Sequence, residues 1–274
     1  MVSMTRYSEE IHPKLPNPSP VELYHTEDLP LHSFIFPEGN KLSYKMLLGK
    51  DEITVLLFSL PQGEEIPLHY HSMNKAIYVY EGCPEILIRG EMTPTFRGDS
   101  LMIPEESNVK IQNSGTEETL IFFFFPGCPR DSLMFQSPSP DSDPSGRENL
   151  LFKEREIPWE NWDGKLSIGT EPTPLAWKNI IENDSMVLGI TKIDPGFDVD
   201  RHYHKPTQIV IFSEGEGRTL IEKGEYREIR KDSFIYPPSY SLHHSINTHP
   251  ERPLMEIYFF PQGPFAKIEY LGKE

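Results

Sequence analysis

A histidine pair two residues apart, His69-Tyr70-His71, returns as His202-Tyr203-His204, and its neighbours return with it. Gly63, His69, His71, Gly82 and Pro104 match Gly196, His202, His204, Gly215 and Pro237, every pair 133 positions apart. Past Pro104 the offset drifts. Asn113 aligns with Asn247, and the run Phe122–Gly127 (FFFFPG) aligns with Tyr258–Gly263 (YFFPQG). A repeat this long is a whole domain, not a solenoid unit. The chain reads as two copies of one domain.

Each copy has the pattern of short strands. Ile77–Tyr80 and Ile209–Phe212 are apolar runs that end on Glu-Gly, and hairpin signals follow at Arg89-Gly90-Glu91 and Lys223-Gly224-Glu225. Asp99–Ile103 and Asp232–Tyr236 come next, each stopped by proline. Ser33–Phe36 and Thr54–Phe58 read as strands too, while Leu175–Asn183 is the best candidate for a short helix. With 27 Pro and 18 Gly and few long helical patterns, the expected class is all-β. The expected organisation is an N-terminal arm over residues 1–20, a first domain over 21–136, a linker rich in Ser, Pro and Asp over 137–149, and a second domain over 150–274.

Residues two apart on a strand share a face, so both imidazoles of each pair point the same way. Burying two same-face histidines is uncommon without a partner for them. A metal site on the inner wall of a β-barrel is the economical reading.

These residues resemble the cupin superfamily. Its first motif is G-x5-H-x-H-x3,4-E-x6-G and its second is G-x5-P-x-G-x2-H-x3-N. Two copies make the chain similar to a bicupin, with a layout most similar to the quercetinase-like group. The resemblance spans roughly residues 50–127 and 185–263 and implies two jelly-roll barrels. It also implies four metal ligands, and in the second copy these fall on His202, His204, Gln208 and His243. Gln208 stands where the family has glutamate. Counted from Pro237, the second motif is one residue longer, with Lys231 and Ser239 at its glycine positions. His243 is preferred over His244 because it keeps the x3 spacing to Asn247. In the first copy the same positions hold His69, His71, Lys75 and Val109. An ammonium repels a cation and valine cannot coordinate one, so that barrel is expected to be metal-free.

Three imidazoles and an amide are all neutral, so one divalent transition metal bound there would keep its full charge. Zinc, iron, nickel, manganese and copper all suit such ligands. That favours non-redox Lewis-acid chemistry on a small enolisable or phenolic carbonyl compound, as in an isomerase, lyase or cyclase. An iron or nickel dioxygenase is the first alternative, and a non-catalytic ligand-binding bicupin the second. An amide cannot serve as general base, so Tyr236, Tyr240 and His244 become the acid–base candidates. Val210 and Phe212 share the face of Gln208 and are expected to line an apolar pocket.

A net charge of -16 disfavours nucleic acid and anionic membranes as partners. Cys83 and Cys128 give no disulfide framework and read as reduced thiols. The first ten residues lack the apolar core of a signal peptide, and Leu120–Phe125 is too short to span a bilayer. A cytoplasmic protein with a small-molecule substrate, assembled as a homodimer, is the expectation.

Overall fold

The computed structural model describes residues 19–36, 41–50, 52–127, 149–161, 166–167, 173–222, 224–263 and 269–270. Most of the expected arm and linker, Cys128 and Trp162–Gly164 lie outside the described residues. The chain divides into two compact units, Leu29–Glu156 and Ile157–Glu274, the latter joined by the segment that ends at Asp28.

In the first unit a seven-stranded sheet runs in the order Leu150–Phe152, Ser100–Ile103, Lys75–Glu81, Thr119–Pro126, Ile53–Leu60, Lys41–Lys50, Leu31–Ile35. A four-stranded sheet, Glu65–His69, Val109–Gln112, Glu85–Ile88, Glu91–Pro94, closes the core from the other side. The second unit repeats the plan. Its eight-stranded sheet runs Glu22–His25, Ser233–Tyr236, Ile209–Glu214, Leu254–Phe260, Met186–Ile193, Leu175–Asn183, Trp159–Asn161, Leu166–Ser167. Its five-stranded sheet runs Glu225–Arg230, Glu216–Glu222, His243–Asn247, Asp198–Tyr203, Glu269–Tyr270.

Central strands such as Ile53–Leu60 and Met186–Ile193 are buried on both faces, which explains their near-continuous apolar sequences. Leu175–Asn183 is a strand and not the expected helix. It pairs along its length with Met186–Ile193. The turn between them is set by Asn183, whose Oδ1 accepts hydrogen bonds from the backbone N–H groups of Ser185 and Met186. Two adjacent β-branched residues, Ile180 and Ile181, agree with the pleated surface better than with a helix.

The expected boundaries at 21 and 150 also shift. Glu22–His25 pairs with Ser233–Tyr236 of the second unit, and Leu150–Phe152 pairs with Ser100–Ile103 of the first. These two edges occupy equivalent places, and each barrel fills its edge with a segment from the far side of its repeat. Leu23 lies opposite Ile235 and Leu151 opposite Leu101, and each leucine packs on the core of the barrel it joins. That apolar contact is what carries the strands across.

Candidate metal centre

His202 ends the strand Asp198–Tyr203, His204 follows in the turn, and His243 opens the strand opposite. A register irregularity between Val199 and His202 sets His202 directly across from His243. The three rings then meet, with centroids 4.1 Å apart for His202–His243, 4.8 Å for His204–His243 and 5.9 Å for His202–His204. One nitrogen from each lies within 4.8 Å of the other two.

Each ring is fixed in the same way. The Nδ1–H of His202 donates to Asp200 O at 2.8 Å, that of His204 to Pro206 O at 2.7 Å, and that of His243 to Ser241 O at 2.9 Å. This tautomer leaves Nε2 as the lone-pair nitrogen, in the arrangement that orients metal-binding histidines. Nε2 of His243 is buried with no hydrogen-bond partner. Burial holds all three imidazoles neutral. It pushes His202 down to about 3, with the neighbouring His204 adding to the effect, and it lowers His204 and His243 as well.

Gln208 is buried beside them, its Oε1 3.1 Å from Nε2 of His204. With Nδ1 protonated, both atoms are acceptors. Either the amide turns its NH2 inward, or both atoms would face a bound cation. A neutral, pre-oriented donor set with an orphaned buried nitrogen fits a divalent transition metal.

The second motif requires a correction. Ser241 N–H donates to Pro238 O as Ser107 N–H does to Pro104 O, and Tyr240 N–H donates to His204 O as Glu106 N–H does to His71 O. Pro238, not Pro237, is therefore the counterpart of Pro104. Asp232 and Tyr240 take the glycine positions, both with positive φ (66° and 61°), where the expectation had Lys231 and Ser239. The extra residue lies before Asp232, and the spacing from Tyr240 to His243 and Asn247 is regular.

Among the acid–base candidates, His244 alternates to the opposite face of its strand. There its Nδ1 is 2.7 Å from the Tyr226 hydroxyl and its Nε2 is 3.7 Å from Asp198. Tyr236 likewise faces away from its neighbour Ile235, which packs in the core. Tyr240 donates its backbone N–H to His204 O. Val210 and Phe212 lie in the interior core.

In the first barrel Val109 takes the place of the third histidine, opposite His69. Lys75 is fully buried, with no hydrogen-bond partner for Nζ, and burial pushes it down to about 7. His69 is pushed down to about 3 by burial and by the charge of Lys75. Among the described residues, the second barrel's triad is the group arranged to hold a metal.

Sequence reasoning missed Glu256. It is buried on the strand Leu254–Phe260, and burial pushes it up to about 7 against a hydrogen bond from Ser245. The signal was present. An acidic residue interrupts an apolar strand at the position that Ile121 holds in the first copy.

Residues 56–125 match the cupin domain family. Over 96% of its length the chain superposes on oxalate decarboxylase from Bacillus subtilis, covering 80% of that chain with a TM-score of 0.68 at 13% identity. The fold is that of a bicupin. Oxalate decarboxylase from Lactobacillus farciminis, in a formate complex, is similar to this chain with a TM-score of 0.66 at 12% identity, covering 95% of this chain and 90% of that one. Ylba from E. coli has a TM-score of 0.66 at 14% identity, covering 92% and 95%. In sequence, a polyketide synthase protein, CurC of Streptomyces cyaneus, is 37% identical over 73 residues, 26% of this chain. The chain spans about half of that relative, 47%. No helix among the described residues is long and apolar enough to cross a membrane.

Proposed function

We propose that the second barrel is a metal-dependent active site acting on a small enolisable or phenolic carbonyl compound without change of oxidation state. The observation that carries this reading is the donor set: three imidazoles held neutral by burial, with a neutral amide beside them. His202, His204, His243 and Gln208 would hold one divalent ion. When bound, such an ion supplies Lewis acidity undiminished by any carboxylate ligand. The backbone carbonyls of Asp200, Pro206 and Ser241 keep the three rings aimed inward. Val210 and Phe212 exclude water from the space they share and offer an apolar wall to an aromatic or polyketide-like body. The likeness to a polyketide synthase protein supports that substrate class, and the manganese centres named for the Bacillus subtilis decarboxylase support a divalent metal in this fold.

Metal analysis of the purified chain tests the site. About one ion per chain is expected. His202→Ala or His204→Ala should lose it, and the double change of His69 and His71 to Ala should keep it. Loss of the metal with His69 and His71 overturns the assignment. Screening zinc-loaded protein on enolisable and phenolic carbonyl compounds under argon tests the chemistry, and a reaction that requires dioxygen overturns the non-redox reading.

We further propose a cytoplasmic homodimer. Leu31 and Ile35 lie exposed on a strand at a sheet edge, where a second copy can pair. A mass near 31.6 kDa by light scattering at micromolar concentration refutes the dimer.

A further inference from the structure

The two barrel interiors part company below the ligand layer. Ladder partners establish which positions match. Ile121 lies opposite Phe58 and Val79, as Glu256 lies opposite Thr191 and Phe212. Ile111 faces Ile86 across its ladder, as Ser245 faces Thr219. Phe58, Ile86, Ile111 and Ile121 are all fully buried in the first core. The second barrel puts Thr191, Thr219, Ser245 and Glu256 in their places. Four adjacent apolar side chains have become four polar ones, in the barrel that holds the histidine triad.

The packing changes at the same level. Gly189 replaces Leu56 and Thr191 replaces Phe58 on one strand. Tyr258 fills part of the volume, lying against Gly189 with its hydroxyl donating to Asn179 Oδ1 at 2.6 Å. Glu256 and Thr191 keep 6% and 9% of their surface accessible, where Ile121 and Phe58 keep none. One layer of polar side chains therefore stands in the second barrel where the first is apolar.

That layer is not satisfied from within. Ser245 hydrogen-bonds the Glu256 carboxyl, yet Oε1 of Glu256 and Oγ1 of Thr219 are buried with no partner. Native interiors rarely leave such groups orphaned unless something outside the chain meets them. Ser245 follows His243 by two residues on one strand and shares its face, so the polar floor begins about 7 Å along the strand from the triad. A small molecule with one oxygen at the triad and a body of ring size would reach it.

We infer that Glu256 is the acid–base residue of the second barrel, receiving the acidic hydrogen of an enolisable or phenolic carbonyl substrate. This rests on the function proposed above and supplies the base that Gln208 cannot be. In the step, the substrate C–H or O–H bond breaks, its electron pair stays on the substrate as an enolate or phenolate, and the proton moves to Oε1 of Glu256. Return of that proton to another substrate atom resets the site without any outside reagent. The carboxyl is suited to this work, since burial brings it to about 7. The other ionisable groups facing this interior are His202, His204 and His243, held neutral, and Tyr258, engaged with Asn179.

The test uses zinc-loaded full-length chain and acetylacetone as probe, followed by calorimetry at pH 8 in two buffers of different ionisation enthalpy. Wild type should take up the diketone's proton internally. Glu256→Gln should release about one more proton per diketone bound, or bind at least tenfold more weakly. Glu256→Ile, which copies Ile121, should show the same loss and guards against misfolding of the glutamine variant. Equal proton counts with equal affinities overturn the inference, as does failure of zinc-loaded wild type to bind the diketone. Infrared spectra of metal-free protein give an independent reading: a protonated carboxyl band should titrate near neutral pH in wild type and vanish in Glu256→Gln. Its absence from wild type also overturns the role. If zinc is not held at the triad, the underlying function fails instead, and metal analysis reports that separately.

Discussion

Single residues set pH responses of the same sign, in different pH windows, in the two barrels. Lys75 titrates near 7 in the fold and near 10.5 when unfolded. Between those values the unfolded chain binds the extra proton, so stability rises with pH across that window, and the full penalty of the buried amine applies below it. Lys75→Met keeps the length and removes the charge. It should stabilise the first barrel by roughly 1–4 kcal/mol at pH 7. A denaturation midpoint that is unchanged or lower refutes this. The triad histidines titrate well below their unfolded value of 6.5. Here too the unfolded chain binds more protons, so metal-free second barrel should lose stability as pH falls below about 6.5. A urea midpoint that stays flat from pH 7 to pH 4 counts against neutral buried imidazoles. The meeting of His202 and His204 was legible because residues two apart in extended chain share a face. The motif-two register was not, because Pro237 and Pro238 are adjacent and neither glycine position holds glycine. Matched backbone hydrogen bonds and positive φ at Asp232 and Tyr240 tell which proline counts. Glu256 escaped notice because one carboxylate in an apolar run has no spacing to betray it.

Among the elements, the traded edge strands decide how each barrel is closed. Leu23→Pro should remove ladder bonding to Ser233–Tyr236 and displace a side chain from the second core, costing about 2 kcal/mol or more. Leu151→Pro should act on the first barrel in the same manner. Limited proteolysis would locate the damage, and cleavage confined to the wrong barrel in either variant contradicts the exchange. Strand identity itself was readable from turn signals and apolar runs. The helix expected over Leu175–Asn183 failed because a register irregularity between Asn179 and Ile181 breaks the strand's period-two alternation, and the long pairing with Met186–Ile193 fixes its type. Strand exchange left no mark either, since a three- or four-residue apolar segment does not name its partner.

For the whole molecule, a barrel with an apolar interior and one with a polar layer share a chain. Metal that binds only the native second barrel should stabilise that unit alone, by about 2.7 kcal/mol at a hundredfold excess over Kd. In calorimetry, a chelator should lower one unfolding transition and leave the other in place. Movement of both by equal amounts would show that the barrels unfold together. Order of synthesis adds a second asymmetry. His25 and its partner Ser233 are separated by 208 positions, so at roughly 5–20 residues per second the first edge strand is finished about 10–40 seconds before its ladder exists. During part of that interval Ser100–Ile103 is already made and Leu150–Phe152 is not. The early strand then meets an open edge of the same shape as its own, and Leu23 can sit where Leu151 belongs. Translation speed between residues 103 and 150 thus governs how long the nascent chain is exposed to pairing with the wrong half of itself.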